Sequence, residues 1–229
     1  MKTIGLIGGM SWESTAEYYR IINEAVHERC GGFHSAKCIL YSVDFEEIEY
    51  HQRSGNWNQA GEILHMAAQS LEKAGADFII ISTNTMHKMF DDIGRNIQIP
   101  MVHIADATAA AVQSRKIRKV GLLGTQYTME QDFYKLRLRQ NGIEVIVPPE
   151  KDRELVNQVI YQELCLGKVL SASKQEYLRI IHELEIQGAQ GIILGCTEIG
   201  ILIKQADTDV PLFDTTYIHA QQAVRYALE

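Results

Sequence analysis

One cysteine in this sequence stands where a thiol can do acid–base or nucleophilic chemistry. Cys196 follows the apolar run of residues 191–194 and precedes Thr197 and Glu198. This pattern places it at the carboxyl end of a strand, near a helix start whose backbone N–H groups lower a thiol's pKa from about 8.5. We therefore expect a reactive thiol at Cys196. Cys30, Cys38 and Cys165 are expected to be unreactive, reduced thiols, since their spacing matches no zinc motif.

A second polar turn follows the apolar run of residues 78–82. Thr83, Asn84 and Thr85 cap backbone N–H groups well, so they can be a simple strand-to-helix turn. The same N–H groups can also hold a carboxylate, and both interpretations can hold together. His87, one helical turn beyond Thr83, either forms a hydrogen bond near this turn or only packs against it.

The segments around these turns alternate between strand and helix patterns. Short apolar runs are predicted strands at 3–7, 36–42, 78–82, 119–123, 144–147 and 191–194. Segments of helical period are predicted helices at 14–29, 60–74, 131–140, 157–166 and 174–187. This alternation predicts an α/β fold with mainly parallel sheets flanked by helices.

The two halves of the chain also resemble each other. KTIGLIGGMS at Lys2 is similar to RKVGLLGTQYTM at Arg118, and GADFIIISTNTMH at Gly75 is similar to GAQGIILGCTEIG at Gly188. We predict two similar lobes with four-stranded sheets, residues 1–100 with 210–229 and residues 101–209, related by pseudo-two-fold symmetry. Because ligands bind beyond the carboxyl ends of parallel strands, Thr83 and Cys196 are expected on opposite sides of one site between the lobes.

Two other kinds of site fit these residues less well. The segment GLIGGMS lacks the G-x-G-x-x-G order of a dinucleotide site, so it is interpreted as a tight turn with Met10 as a wall of the substrate pocket. Cys196 with His87 or His219 could serve a nucleophilic hydrolase, although no nucleophile motif surrounds the cysteine. The hydrolase remains the alternative on chemistry alone.

Composition and charge exclude some partners. The 229 residues carry a formal net charge of −7 with scattered Lys and Arg, which argues against nucleic acid. No apolar run is long enough to span a membrane, and the apolar stretch at the N-terminus is too short for a signal peptide. A cytoplasmic protein is expected.

The segments IISTNTMH and ILGCTEIGIL resemble the two active-site signatures of the aspartate/glutamate racemase family. KTIGLIGGMSWEST, GTQYTMEQDFY and IYQELCLG are similar to its subgroup of aspartate and broad-specificity amino-acid racemases. The resemblance implies a homodimer, a small acidic amino acid as substrate, no pyridoxal phosphate or other cofactor, no metal, and two bases on opposite faces of the α-carbon. It implies that Cys196 handles the proton of the L-enantiomer. Substrate contacts are implied at Asn84, Thr85, Thr128 and Thr197 and, in the loop HQRSGNW, at Gln52 and Arg53.

The sequence departs from this family at Thr83, where most members carry the first catalytic cysteine. An alcohol is a far weaker acid than a thiol, so Thr83 is either a natural residue that biases the kinetics or an engineered one. Leu166 replaces a basic residue of some relatives, with Lys168 the nearest cation, so the anchor for the side-chain carboxylate is open. The alternatives are a binding protein without activity that recognises acidic amino acids, and a single-cysteine decarboxylase or isomerase of the same superfamily.

Overall fold

Parallel strands and helices alternate along the whole chain, as the sequence pattern predicts. The structure is a computed structural model that describes residues 1–229. The chain forms two compact units, one of Met1–Ile104 with His219–Glu229 and one of Ala105–Ile218. None of the helices is both long and apolar enough to cross a membrane.

The first unit holds a four-stranded parallel sheet in the order β2-β1-β3-β4. Its strands are β1 (Ile4–Gly8), β2 (Cys38–Ser42), β3 (Phe78–Ile81) and β4 (Met101–Val102). Its helices are α1 (Trp12–Cys30), α2 (Phe45–Arg53), α3 (Trp57–Lys73) and α4 (Phe90–Ile93), with a 3-10 helix at Thr85–Met89.

The central strands β1 and β3 are buried along their whole length, which explains why they read as continuous apolar runs, whereas the edge strand β2 is partly exposed. Successive side chains of a strand point to opposite faces. Ile4 and Leu6 therefore pack with α1 and the C-terminal helix α11 (Thr215–Leu228), whereas Ile7 packs with α3 on the other face.

The second unit repeats this arrangement in the order β6-β5-β7-β8. Its strands are β5 (Lys119–Gly124), β6 (Glu144–Ile146), β7 (Ile192–Gly195) and β8 (Leu212–Asp214). Its helices are α5 (Ile104–Ser114), α6 (Gln126–Glu130), α7 (Asp132–Gln140), α8 (Glu150–Gln162), α9 (Ser171–Ile186) and α10 (Ile199–Leu202). Two 3-10 helices lie at Leu164–Leu166 and Gln205–Asp207. The predicted fold class, two similar units with parallel four-stranded sheets flanked by helices, is confirmed.

The boundaries between the units differ from those expected, which were 100/101 and 209/210. The reason is strand pairing. β4 pairs with β3 and so stays in the first unit, and β8 pairs with β7 and so stays in the second. The chain passes from one unit to the other inside α5 and α11.

Two local expectations also change. Gln52 and Arg53, expected in a loop, end the helix α2, which Asp44 caps by accepting a hydrogen bond from the Glu46 N–H. Cys165, expected in an α-helix, lies beyond the end of α8 in the 3-10 helix Leu164–Leu166.

Candidate active site

Cys196 follows β7 directly, at the position predicted for it, and its side chain is buried. The thiol donates a hydrogen bond to Oε2 of Glu198 at 2.9 Å. The Thr197 hydroxyl donates to the same oxygen at 2.6 Å, and Glu198 is itself only 4% exposed. One buried carboxylate oxygen therefore holds both the thiol and the hydroxyl of this turn.

This environment favours the neutral thiol. Burial raises the pKa of Cys196 well above its usual value, and the negative charge of Glu198 raises it further. A backbone N–H of Glu198 acts in the opposite direction but has the smallest effect. The expectation that helix-start N–H groups would lower this pKa is therefore wrong in direction. α10 begins three residues later and is four residues long, so burial and the carboxylate outweigh it.

Other groups of the second unit lie close to the thiol. Tyr177 is buried in the same apolar cluster, and its pKa is raised well above the usual value by burial and then by Cys196. Its hydroxyl donates a hydrogen bond to the Val156 carbonyl at 2.9 Å, and this bond fixes the orientation of the hydroxyl. Cys165 adds a smaller effect on the Cys196 pKa and is only partly buried.

Thr83 occupies the corresponding place in the first unit, beyond the carboxyl end of β3. Its side chain is partly exposed, and its carbonyl oxygen accepts a hydrogen bond from Nδ1 of His87 at 2.7 Å. Asn84 and Thr85 are 2% and 6% exposed and begin the 3-10 helix that follows. The two sheets thus end, at equivalent strands, in one turn with a threonine and one with a cysteine.

His87 and His219 do not supply a base for a cysteine hydrolase. His87 uses Nδ1 for the Thr83 carbonyl and Nε2 for the Ile104 N–H. His219 bonds to the Tyr18 hydroxyl through Nδ1, and through Nε2 to a backbone carbonyl. Both rings are therefore committed to contacts within the first unit.

Thr128 lies beside the Cys196 turn. Its Cγ2 would be 3.3 Å from a Cβ atom placed on Gly195, the residue directly before Cys196. Its side chain is fully buried, and its hydroxyl lies 3.2 Å from that of Thr125. The structure brings Thr128, Thr197 and Cys196 together at the carboxyl ends of β5 and β7. Substrate contact at Thr128 and Thr197 stays a prediction.

In the first unit Met10 follows β1 and is 4% exposed, packed into the core. Gln52 is also buried and donates from Nε2 to the sulfur of Met86 at 3.1 Å, which ties α2 to the segment after Thr83. Arg53 instead points outward, with 67% of its side chain exposed, at 3.8 Å from Glu49. The structure thus joins Gln52, but not Arg53, to the Thr83 turn.

An open polar cavity of about 770 Å³ lies at the turn between α2 and α3. It is lined by His51, Gly55, Asn56, Trp57, Asn58 and Gln59. Lys88 lies 3.8 Å from the centroid of the Trp57 ring, and burial lowers its pKa. This cation close to the HQRSGNW segment was not predicted. No three His, Cys, Asp or Glu side chains lie together in a way that could hold a metal ion.

No role was predicted for Glu198 from the sequence, and of the two alternatives for His87 the structure shows the hydrogen bond near the Thr83 turn. The signal for Glu198 was present, since a carboxylate two residues after a cysteine at a strand end can turn back toward it. Only the fold shows that the carboxylate is buried with the thiol rather than solvated.

The chain matches the Asp/Glu/hydantoin racemase family over residues 7–223. It belongs to that family, and this assigns it to the isomerases that racemise amino acids.

Several relatives support the assignment. The chain is 26% identical over 226 residues to the broad specificity amino-acid racemase RacX of Bacillus subtilis (strain 168), covering 96% of each protein. It is 40% identical to an aspartate racemase homologue from Pyrococcus horikoshii OT3, covering 100% of both chains with a TM-score of 0.88. A proposed Asp/Glu racemase of Yersinia pestis is 57% identical over 100% of both chains, with a TM-score of 0.94.

Proposed function

We propose that this protein racemises aspartate or glutamate without a cofactor, with Cys196 and Thr83 acting on opposite faces of the α-carbon. The observation that carries the proposal is the buried hydrogen bond between the Cys196 thiol and the Glu198 carboxylate. A thiol so placed has a proton acceptor at 2.9 Å, which is what it needs in order to act as a base.

Glu198 is the group that makes Cys196 a base for the L-enantiomer. The free enzyme holds a thiol and a carboxylate, because burial and the charge of Glu198 raise the thiol's pKa. The thiol proton passes to Oε2 of Glu198, and the thiolate then removes the α-proton of the L-substrate. This step leaves a carbanion, a thiol at Cys196 and a protonated carboxyl at Glu198.

The carbanion has two fates. The Cys196 thiol can return a proton to the same face, which restores the L-enantiomer. The Thr83 hydroxyl can deliver a proton to the opposite face, which gives the D-enantiomer and leaves an alkoxide. Exchange with water then moves the extra proton of Glu198 to Thr83 and restores the starting enzyme. Because an alkoxide is far less accessible than a thiolate, return to the same face is the faster route.

An acidic substrate suits the relatives and the two polar turns. The relatives are described as aspartate and broad-specificity racemases. In an acidic protein, the carboxylates of a substrate need local positive potential, which backbone N–H groups of the turns at Asn84 and Thr197 would provide. No substrate contact is proposed for Arg53, because its side chain is 67% exposed and is not joined to the Thr83 turn. We further propose a cytoplasmic homodimer.

A binding protein for acidic amino acids is the second candidate, and the threonine at position 83 favours it. Such a protein would need the same carboxylate-binding turns but no functional base. It would bind aspartate or glutamate and leave its configuration unchanged.

The test is a chiral assay of L- and D-aspartate and L- and D-glutamate with the wild type, Cys196→Ser and Cys165→Ser. We expect the wild type to form the opposite enantiomer and Cys196→Ser to lose activity by orders of magnitude. Cys165→Ser, a matched change in a partly buried thiol nearby, should stay close to the wild type. Binding without any inversion in the wild type would establish the second candidate instead.

A further inference from the structure

The imidazole of His87 joins two segments of the first unit. Its Nδ1 lies 2.7 Å from the Thr83 carbonyl oxygen, and its Nε2 lies 3.2 Å from the backbone nitrogen of Ile104. A carbonyl oxygen can only accept a hydrogen bond and a backbone N–H can only donate one. The two contacts therefore require a neutral ring with the hydrogen on Nδ1 and the lone pair on Nε2.

The ring has little freedom to turn. It is 3% exposed and stacks on Phe90, with centroids 5.6 Å apart and an angle of 10° between the planes. His103 packs against it at 4.6 Å and His219 meets it edge-on at 5.8 Å. Aromatic rings on several sides thus keep both nitrogens aligned with their backbone partners.

The His219 ring beside it is fixed and uncharged. Burial lowers its pKa to about 4. Its Nε2 donates to the Val102 carbonyl at 3.0 Å, and its Nδ1 accepts from the Tyr18 hydroxyl at 3.0 Å. The His219 ring therefore places no positive charge beside His87 at neutral pH, which is compatible with a neutral His87 ring.

The hydrogen bond from His87 Nδ1 is made to Thr83, the residue proposed to protonate the carbanion. The Thr83 carbonyl belongs to the peptide group that begins the turn after β3. Fixing that carbonyl limits rotation about the backbone bonds of Thr83, which set the direction of its side chain. The second contact ties the turn to the chain just beyond β4, at Ile104.

We propose that His87 is a positioning residue for Thr83, holding its carbonyl through the Nδ1–H tautomer and thereby aiming its hydroxyl at the α-carbon. This inference rests on the proposed function, in which Thr83 protonates the carbanion. His87 acts on the inversion step and has no part in proton removal by Cys196.

Two amide substitutions separate the two contacts of the ring. In His87→Asn the amide nitrogen occupies the position of Nδ1 and can still donate to the Thr83 carbonyl. In His87→Gln the amide reaches the position of Nε2, where its oxygen can accept from Ile104, but the donor to Thr83 is lost. Both lose the aromatic ring, so a general packing defect affects them alike.

The measurement is the ratio of inversion to α-hydrogen exchange, started from the L-substrate in D₂O. We expect His87→Asn to keep the wild-type ratio within about twofold and His87→Gln to lower it about tenfold, the effect of one lost hydrogen bond. In a Thr83→Ala background the two variants should no longer differ. Equal ratios for both variants and the wild type would overturn the proposal.

A second measurement needs no substitution. Nitrogen-15 NMR of the histidine-labelled wild type should show His87 protonated on Nδ1 and unprotonated on Nε2 at neutral pH. The opposite tautomer or a charged ring would overturn the proposal even if both variants fail to fold. A wild type with neither exchange nor inversion would refute the proposed function, and the positioning role with it, while the tautomer would still be measured.

Discussion

Replacing Glu198 by Gln should change the rate of Cys196 alkylation and the rate of racemisation in opposite directions. The change removes a buried negative charge 2.9 Å from the thiol and keeps the size of the side chain. Because that charge raises the thiol's pKa, its loss should lower the pKa and increase the thiolate fraction at neutral pH. The amide, however, cannot take up the thiol proton.

The two effects predict opposite changes in two rates. Hydrogen bonds to charged groups contribute about 1.5–3 kcal/mol, so kcat/KM for racemisation should fall by about 10- to 150-fold. Alkylation of Cys196 by an uncharged reagent should become faster, because the thiolate is the reactive form.

Alkylation is followed by mass spectrometry of the peptide that contains Cys196, and racemisation by circular dichroism. Glu185→Gln is the matched control, since this carboxylate is 48% exposed and lies at the far end of α9, paired with His182. The control should change neither rate. If racemisation rises together with alkylation in Glu198→Gln, then Glu198 only suppresses the thiolate and is not its proton acceptor.

Three further substitutions test the site and the fold. Thr83→Cys should raise racemisation at least about tenfold by supplying a second thiol, and an unchanged rate in the chiral assay would contradict the role of Thr83. His219→Gln should reduce the loss of stability between pH 6.5 and 4. In the wild type the buried His219 stays neutral in this pH range while the same histidine becomes protonated in the unfolded chain. Its contribution to the free energy of unfolding, measured by urea unfolding, should therefore fall by up to about 3 kcal/mol over this range. Equal pH dependence in both proteins would refute this. Gly9→Ala should destabilise by more than about 1 kcal/mol, because Gly9 has φ +93° and a Cβ would lie 2.1 Å from the Val43 carbonyl oxygen; an unchanged melting temperature would contradict it.

The sequence predicted six of the eight strands and five of the eleven α-helices, α1, α3, α7, α8 and α9, because both signals are local. Strands buried on both faces must be apolar throughout, and β1, β3, β5 and β7 were found on that basis. The helix α2 was missed because the short turn around Ser54 and Gly55 made the whole segment look like a loop, although Asp44 caps it as a typical N-cap does.

The unit boundaries and the pKa of Cys196 depend on contacts distant in sequence. β8 is three residues long, and nothing within it specifies that it pairs with β7. The position of Cys196 at a strand end was predictable from its apolar run. The direction of its pKa shift was not, because it depends on the depth of burial and on the orientation of the Glu198 side chain.

Exchange in D₂O tests most directly whether Cys196 is the efficient base and Thr83 the poor one. Since the enantiomers have equal free energy, kcat/KM for racemisation must be equal in both directions, so the asymmetry can only show in exchange without inversion. We expect the L-substrate to exchange its α-hydrogen faster than D-product forms, and the D-substrate to show little exchange without inversion. Equal rates of exchange and inversion from the L-substrate, unchanged in Thr83→Cys, would contradict this assignment of the two bases.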